Sequence, residues 1–284
     1  MKIDYVTDLH VNHWMWFTTN QLKWEKRTRD WTRHLIRNGN GEVIIVAGDF
    51  SEMNVQSKWV LDELSKHYER VYWTFGNHDL YLMSKKDKKR HGDSKGRLEN
   101  LIEQTSYLEN VIPLIKRTDV YKGVTFAGDA MWYLPKTPED WAFYKGVSND
   151  SSYITLNSAW SSEDVARQLY KESLDWYDTL DGEDIDVMVS HVPPVHPKLS
   201  KYPPNACYMS PVPFLASTHW VCGHDHLQGT FEKAGTMFYM NSVGYPDAYE
   251  HARANEMPAE NVDPILTFGV QTFEVKKAVP AQKN

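Results

Sequence analysis

With 284 residues, the chain is long enough for one large domain or two small ones around a sizeable core. Its formal net charge of −7 argues against a duplex-DNA binder, which would show a basic face. No apolar run approaches the ~18 residues of a transmembrane helix, and "MKIDYVTDLH" has no signal-peptide apolar region, so no membrane partner is expected.

Two cysteines, Cys207 and Cys222, lack metal-type spacing and suit a reducing, cytoplasmic compartment. Cys222 lies in an apolar run and reads as a small core residue. The eleven tryptophans read as core more than as a groove lining.

Short apolar runs recur along the chain, each closed by polar or glycine-containing turns. In order they are "IDYVTDL" (3–9), "EVIIVAGDF" (42–50), "VYWTFGNHD" (71–79), "VTFAGDAMW" (124–132), "DVMVSHVPP" (186–194) and "THWVCGHDH" (218–226). Their length and β-branching favour strands. Helical segments are predicted over about 20–38, stopped by Gly39 and Gly41, and over about 55–68. The alternation implies βαβ units and a buried sheet.

Residues 161–181 are the clearest helix. Ser161 and Asp164 form a capping-box pattern, and Val165, Leu169, Leu174 and Tyr177 form a stripe. After residue 226, "GTFEK" and "GTMFYMN" around "KAG" read as a hairpin, and 265–275 reads as a further strand. One domain over 1–275 with a frayed tail, 276–284, is the expected organisation. Two long connections, 133–160 and the seven-proline 193–217, are expected to be functional loops.

The strand ends carry the chemistry. Asp8 and His10 close the first, Asp49 the second, Asn77, His78 and Asp79 the third, His191 a later one, and His224 and His226 the next. Sites in open α/β sheets form at the carboxyl ends of strands. Each element alone has a bland reading: a turn-forming Asp8, an N-capping Asp49, a satisfied core His191. Five in this order, each after an apolar run, do not fit chance.

The order Asp-x-His, Gly-Asp, Gly-Asn-His-Asp, lone His and Gly-His-x-His resembles the calcineurin-like metallophosphoesterase superfamily, from residue 8 to residue 226. "VTFAGDAMW", "SNDSSYI", the 161–181 helix and "NSVGYP" (241–246) resemble one bacterial and phage branch of it. The resemblance implies a four-layer α/β/β/α sandwich, with two mixed sheets flanked by helices.

It also implies two divalent metal ions. One would take Asp8, His10, Asp49 and His226, and the other Asp49, Asn77, His191 and His224, with Asp49 shared. Imidazole, carboxylate and amide donors without thiolates suit Mn, Fe, Zn or Ni. The implied reaction is phosphoester hydrolysis by a metal-bridging hydroxide. His78 would donate a proton to the leaving group or stabilise phosphoryl oxygens, with Asp79 orienting it.

The second motif reads "GDFSEMN", with Met53 where the protein phosphatase branch has a phosphate-clamping arginine. Together with Asp79 in place of Glu, this favours a phosphodiesterase on a small or nucleotide substrate over a phosphomonoesterase. The basic run "KKDKKRHGDSKGR" (85–97) reads as a solvated mobile loop or as a grip on a polyanion. It keeps open a second reading, a nuclease or nucleic-acid end-processing enzyme. Trp132, Tyr133, Trp141, Tyr144, Tyr202 and Tyr208 either stack a nucleobase or pack their loops. His13, His196 and His219 fit no ligand slot. A non-catalytic scaffold is the least favoured reading, because every ligand position is filled.

Overall fold

The computed structural model describes residues 1–15, 18–197, 199–200, 204–246 and 268–276. In chain order the elements begin with β1 (Lys2–Val6), α1 (Val11–Trp14), α2 (Gln21–Leu35), β2 (Val43–Ala47), α3 (Asn54–Leu64) and β3 (Arg70–Thr74). A 3₁₀ turn at His78–Leu80 leads to α4 (Lys85–His91), α5 (Ser94–Thr105), β4 (Val111–Pro113), β5 (Arg117–Tyr121) and β6 (Val124–Gly128). Then come α6 (Pro138–Gly146), α7 (Asp150–Tyr153), α8 (Ser162–Tyr177), β7 (Ile185–Val189), β8 (Ser217–Val221), β9 (Gln228–Lys233), β10 (Thr236–Asn241) and β11 (Gln271–Glu274).

They form two mixed sheets, β11-β1-β2-β3-β4 and β5-β6-β7-β8-β10-β9. β1, β2, β3 and β4 run parallel, as do β6, β7, β8 and β10. The central strand β2, VIIVA, is buried along its whole length, which is why it reads as a continuous apolar run. Ile3, Val43, Ile45 and Tyr72 from the first sheet meet Phe126, Val187, Val189 and Val221 from the second. The outer face of the first sheet packs on α2, α3 and α5 through Leu35, Val60, Leu61, Leu64, Leu98 and Leu101. Tyr177 at the end of α8, Leu180 and partly buried loop residues including Phe214 cover Trp220 and Phe238 of the second sheet.

The predicted capping box holds: Ser161 Oγ accepts from Asp164 N, and Asp164 accepts from Ser161 N. The hairpin forms as β9 and β10 around Ala234 and Gly235, both left-handed. Two segments read as loops contain helices. The 133–160 connection contains α6 and α7, and the 85–97 run folds into α4 and the start of α5. In the latter case Ser84 caps α4 and Asp93 caps α5, each accepting a backbone amide three residues on. Local capping therefore overrides the like charge of the run.

Part of the predicted 265–275 strand, the tail 277–284 and Tyr202 lie outside the described residues. Among the described residues, no helix is long and apolar enough to cross a membrane.

The two sheets meet at their carboxyl ends. Thr7, just past β1, bridges Ser242, just past β10, and Thr7 N donates to Asn241 O at 3.0 Å. This seam brings the loops after β1, β2, β3, β7 and β8 to one place.

Candidate metal centre

Five of the strand-end residues sit in the left-handed backbone region although none is glycine: Asp8 (φ 52°), His10 (43°), Asp49 (56°), His224 (71°) and His226 (50°). Each such residue costs roughly 1–3 kcal/mol and persists only where the surroundings impose it, typically at functional sites. The motif glycines permit the crowding. A Cβ on Gly76 would lie 2.1 Å from Asp49 Oδ1, and one on Gly223 would lie 2.0 Å from Thr7 Oγ1 and 2.7 Å from Asp8 Oδ2. Neither position admits another residue without moving a candidate ligand.

The strain brings seven side chains together. His10 Nε2 lies 2.9 Å from His226 Nε2 and 3.7 Å from Asp49 Oδ2. His226 Nε2 lies 3.9 Å from Asp8 Oδ1. On the other side His191 Nε2 lies 3.5 Å from Asp49 Oδ2, 3.0 Å from Asn77 Oδ1 and 3.2 Å from His224 Nδ1. Asp49 stands between the two groups, with His10 on one flank and His191 on the other. Asp8, His10 and His226, and likewise Asp8, Asp49 and His191, each offer ligand atoms within 4.8 Å of one another.

Two of the rings are held by their far nitrogens. His191 Nδ1 faces Ala47 O at 2.9 Å, and His224 Nε2 faces Cys207 O at 2.9 Å. Each carbonyl accepts the ring N–H, so the opposite nitrogen turns its lone pair to the centre. Burial holds His10, His191 and His226 below the usual imidazole range, and burial with the neighbouring His191 brings His224 down to about 4. The rings are therefore neutral donors at neutral pH.

Asp49 moves the other way. Burial, then Asp79 and Asp8, push its carboxyl well above the usual range. Asp8, Asp49, Asp79 and Asp150 are all buried here, and among the described residues Arg97 is the one buried Lys or Arg side chain. The cluster lacks positive charge. His10 Nδ1, buried and without a hydrogen-bond partner, adds to the deficit of donors and acceptors. Converging neutral imidazoles and crowded carboxylates fit a pair of divalent cations.

His78 lies beside the cluster, within 4.8 Å of ligand atoms of His10 and Asp49, its backbone N donating to Asp49 Oδ1 at 2.8 Å. Its expected orienting partner is not Asp79. Both Asp79 oxygens are taken by backbone amides, Oδ2 by Asp49 N and Gly76 N and Oδ1 by Phe50 N. Asp79 therefore fastens the β2 loop to the β3 loop. Glu52 faces His78 instead, with Oε1 3.0 Å from Nδ1. Burial raises the Glu52 carboxyl, but hydrogen bonds with His13 and His78 outweigh it and hold it at about 2. His13, a bystander on sequence, sits at the rim with Nε2 3.4 Å from Glu52.

Three further features escaped the sequence reading. Asp150, at the start of α7, accepts from Asn77 Nδ2 at 2.9 Å and from the hydroxyls of Tyr81 and Tyr133. Since the Asn77 amide nitrogen is taken by Asp150, its Oδ1 is turned to His191. Tyr245 stacks on His10 with centroids 4.4 Å apart, and its hydroxyl lies 3.4 Å from His78 Nε2. Arg97, the last residue of the basic run, is buried, and it donates to the carbonyls of His78, Tyr81 and Ser51. It braces the His78 loop from beneath, so its charge does not serve as the missing phosphate clamp. Glu52 and Asp150 were hidden because a lone acid carries no motif; only its place in three dimensions marks it.

Of the loop aromatics singled out from the sequence, Trp132, Tyr133 and Tyr144 are buried in the core, Trp141 is half-buried, and Tyr208 is exposed, as is Trp160 at the end of the 133–160 connection. Tyr208 packs against His224 at 5.1 Å. Cys222 is buried, as predicted.

The profile of the family described as calcineurin-like phosphoesterase matches residues 1–228. An [acyl-carrier-protein] phosphodiesterase, PptH, of Mycobacterium tuberculosis is 23% identical over 272 residues, covering 85% of this chain and 77% of the relative. The crystal structure of a phosphopantetheinyl hydrolase (PptH) from the same organism superposes with a TM-score of 0.65 at 20% identity, covering 90% of this chain and 93% of that one. That superposition matches the two flanked mixed sheets.

Proposed function

The chain belongs to the calcineurin-like phosphoesterase family and is a metal-dependent phosphoester hydrolase; from that premise we propose that it is a cytoplasmic phosphodiesterase whose two metal ions are held by Asp8, His10, Asp49, Asn77, His191, His224 and His226. Convergence of these seven side chains, with Asp49 between His10 and His191, carries the reading. When bound, a divalent pair such as Mn²⁺ supplies charge neutralisation for phosphoryl oxygens and a water acidic enough to act near neutral pH.

The chain's own residues do the rest. Asp150 fixes the Asn77 amide, and the Ala47 and Cys207 carbonyls fix the ring orientations. Glu52 Oε1, 3.0 Å from His78 Nδ1, orients the ring so that Nε2 faces the departing oxygen, to which His78 would deliver a proton. Tyr245, 3.4 Å from that nitrogen, narrows the approach. Met53, exposed and at the sequence position where the protein phosphatase branch has an arginine for a dianionic monoester, favours a singly charged diester.

The substrate we favour is a phosphodiester joining a pantetheine-type arm to a carrier protein, as the name of the mycobacterial relative describes for that protein. Small nucleotide diesters are the second reading, with exposed Tyr208 beside His224 as the available stacking face. The test compares bis-p-nitrophenyl phosphate, p-nitrophenyl phosphate, holo-acyl carrier protein and cyclic nucleotides in Mn²⁺. Turnover of the diesters at least about tenfold above the monoester is expected. Monoester-only activity overturns the phosphodiesterase reading, and cyclic nucleotide turnover without carrier-protein turnover selects the second substrate.

A further inference from the structure

We propose that α4 is the docking face for the acidic surface of the protein that carries the phosphodiester, an inference that rests on the carrier-protein reading above. Within seven residues α4 presents Lys85, Lys86, Lys88, Lys89 and Arg90 against a single acid, Asp87, whose Oδ2 accepts from the capping Ser84 at 2.6 Å. None of its residues is buried. Among the described residues none of the five cations forms an ion pair, whereas nearby Lys95 and Lys116 both engage Glu172. In a chain of net charge −7 this concentration stands apart.

Folding does not account for it. A helix that buries nothing contributes no core, and like charges three or four apart, such as Lys85–Lys88, Lys86–Lys89 and Lys86–Arg90, repel and destabilise the helix. The helix dipole favours cations in the last turn but opposes Lys85 and Lys86 in the first. The stretch withstands that cost because both flanks are fastened. Leu82 N donates to Tyr153 O, Ser94 N donates to Thr155 O, and Arg97 grips the Tyr81 and His78 carbonyls. The basic helix is thereby mounted on the segment that holds His78. Exposed Met83, just before the cap, adds an apolar contact beside the charges.

A protein partner fits this face better than a polynucleotide. Seven helical residues span about 10 Å, a patch and not a track along a backbone. The aromatic residues a single-stranded nucleic acid would stack on are mostly in the core. Charge complementarity of this kind acts on encounter and is screened by salt.

The experiment compares wild type with Lys86→Glu/Lys89→Glu/Arg90→Glu, which reverses one face of α4, and with the milder Lys86→Gln/Lys89→Gln/Arg90→Gln. Kinetics are measured on bis-p-nitrophenyl phosphate and on holo-acyl carrier protein from 20 to 300 mM salt. The small diester is expected to turn over within twofold of wild type in both variants, showing an intact fold and centre. The charge-reversed variant is expected to lose about tenfold or more in kcat/KM on the carrier protein at low salt, through KM. Its salt dependence should flatten, with the glutamine variant between. Equal carrier-protein kinetics and equal salt slopes in all three proteins overturn the docking role and leave the substrate reading standing. A wild type that hydrolyses the small diester but not the carrier protein overturns both. Retention on single-stranded DNA that the reversal abolishes, without an effect on carrier protein, assigns the patch to nucleic acid and overturns the proposal.

Discussion

Asp49→Ala is expected to lower Mn²⁺-dependent diester turnover by at least about three orders of magnitude, because it removes the one donor placed between both groups of ligands. Altered second-sphere partners typically cost only about 10–100-fold, so Asp150→Asn, which leaves every ligand present, is the internal comparison. The conservative Asp49→Asn separates function from folding. Without cations, burial and the neighbouring Asp79 and Asp8 carboxylates oppose charge on Asp49. Neutralising it is therefore expected to leave the metal-free protein at least as stable as wild type. Wild type at 100 times the metal Kd gains about 2.7 kcal/mol of stability, seen as a rise in Tm. Asp49→Asn is expected to lose most of that gain. Thermal scans with and without Mn²⁺ check this, and an undiminished metal-induced Tm shift contradicts the shared-ligand role.

His78→Asn is expected to cost about 10²–10⁴-fold on a diester with an alkyl leaving group and much less on bis-p-nitrophenyl phosphate. An alkoxide needs a proton as it departs, whereas p-nitrophenolate is stable without one. Glu52→Gln, which removes the carboxylate 3.0 Å from His78 Nδ1, is expected to show the same leaving-group pattern with a smaller loss. Equal losses on both substrates would indicate that His78 binds phosphoryl oxygens and does not deliver a proton. No loss on either makes its role structural.

What was readable in advance follows from where information sits in a chain. Strands such as VIIVA are buried on both faces, and their apolar runs announce them. The residues that end them are fixed by glycines that nothing larger can replace, so Gly76–Asn77 and Gly223–His224 are visible as dipeptides. Partners that act across space leave no such trace. Glu52 reaches His78 across 26 positions, and Asp150 reaches Asn77 across 73.

Asp79 misled for the same reason. Adjacency to His78 suggested that it orients the ring, yet the 3₁₀ turn at His78–Leu80 leaves the Asp79 carboxylate on the backbone amides of Gly76, Asp49 and Phe50. The 85–97 run misled in composition. Its charge suggested a loose loop, while Ser84 and Asp93 cap two helices and Arg97 turns inward.

The central claim is that seven side chains from five strand ends hold two cations that share Asp49. Anomalous diffraction from crystals of the Mn²⁺-loaded protein tests it most directly. Two peaks are predicted, one among Asp8, His10 and His226 and one among Asn77, His191 and His224, both touching Asp49. A single peak, or manganese bound away from Asp49, contradicts the account.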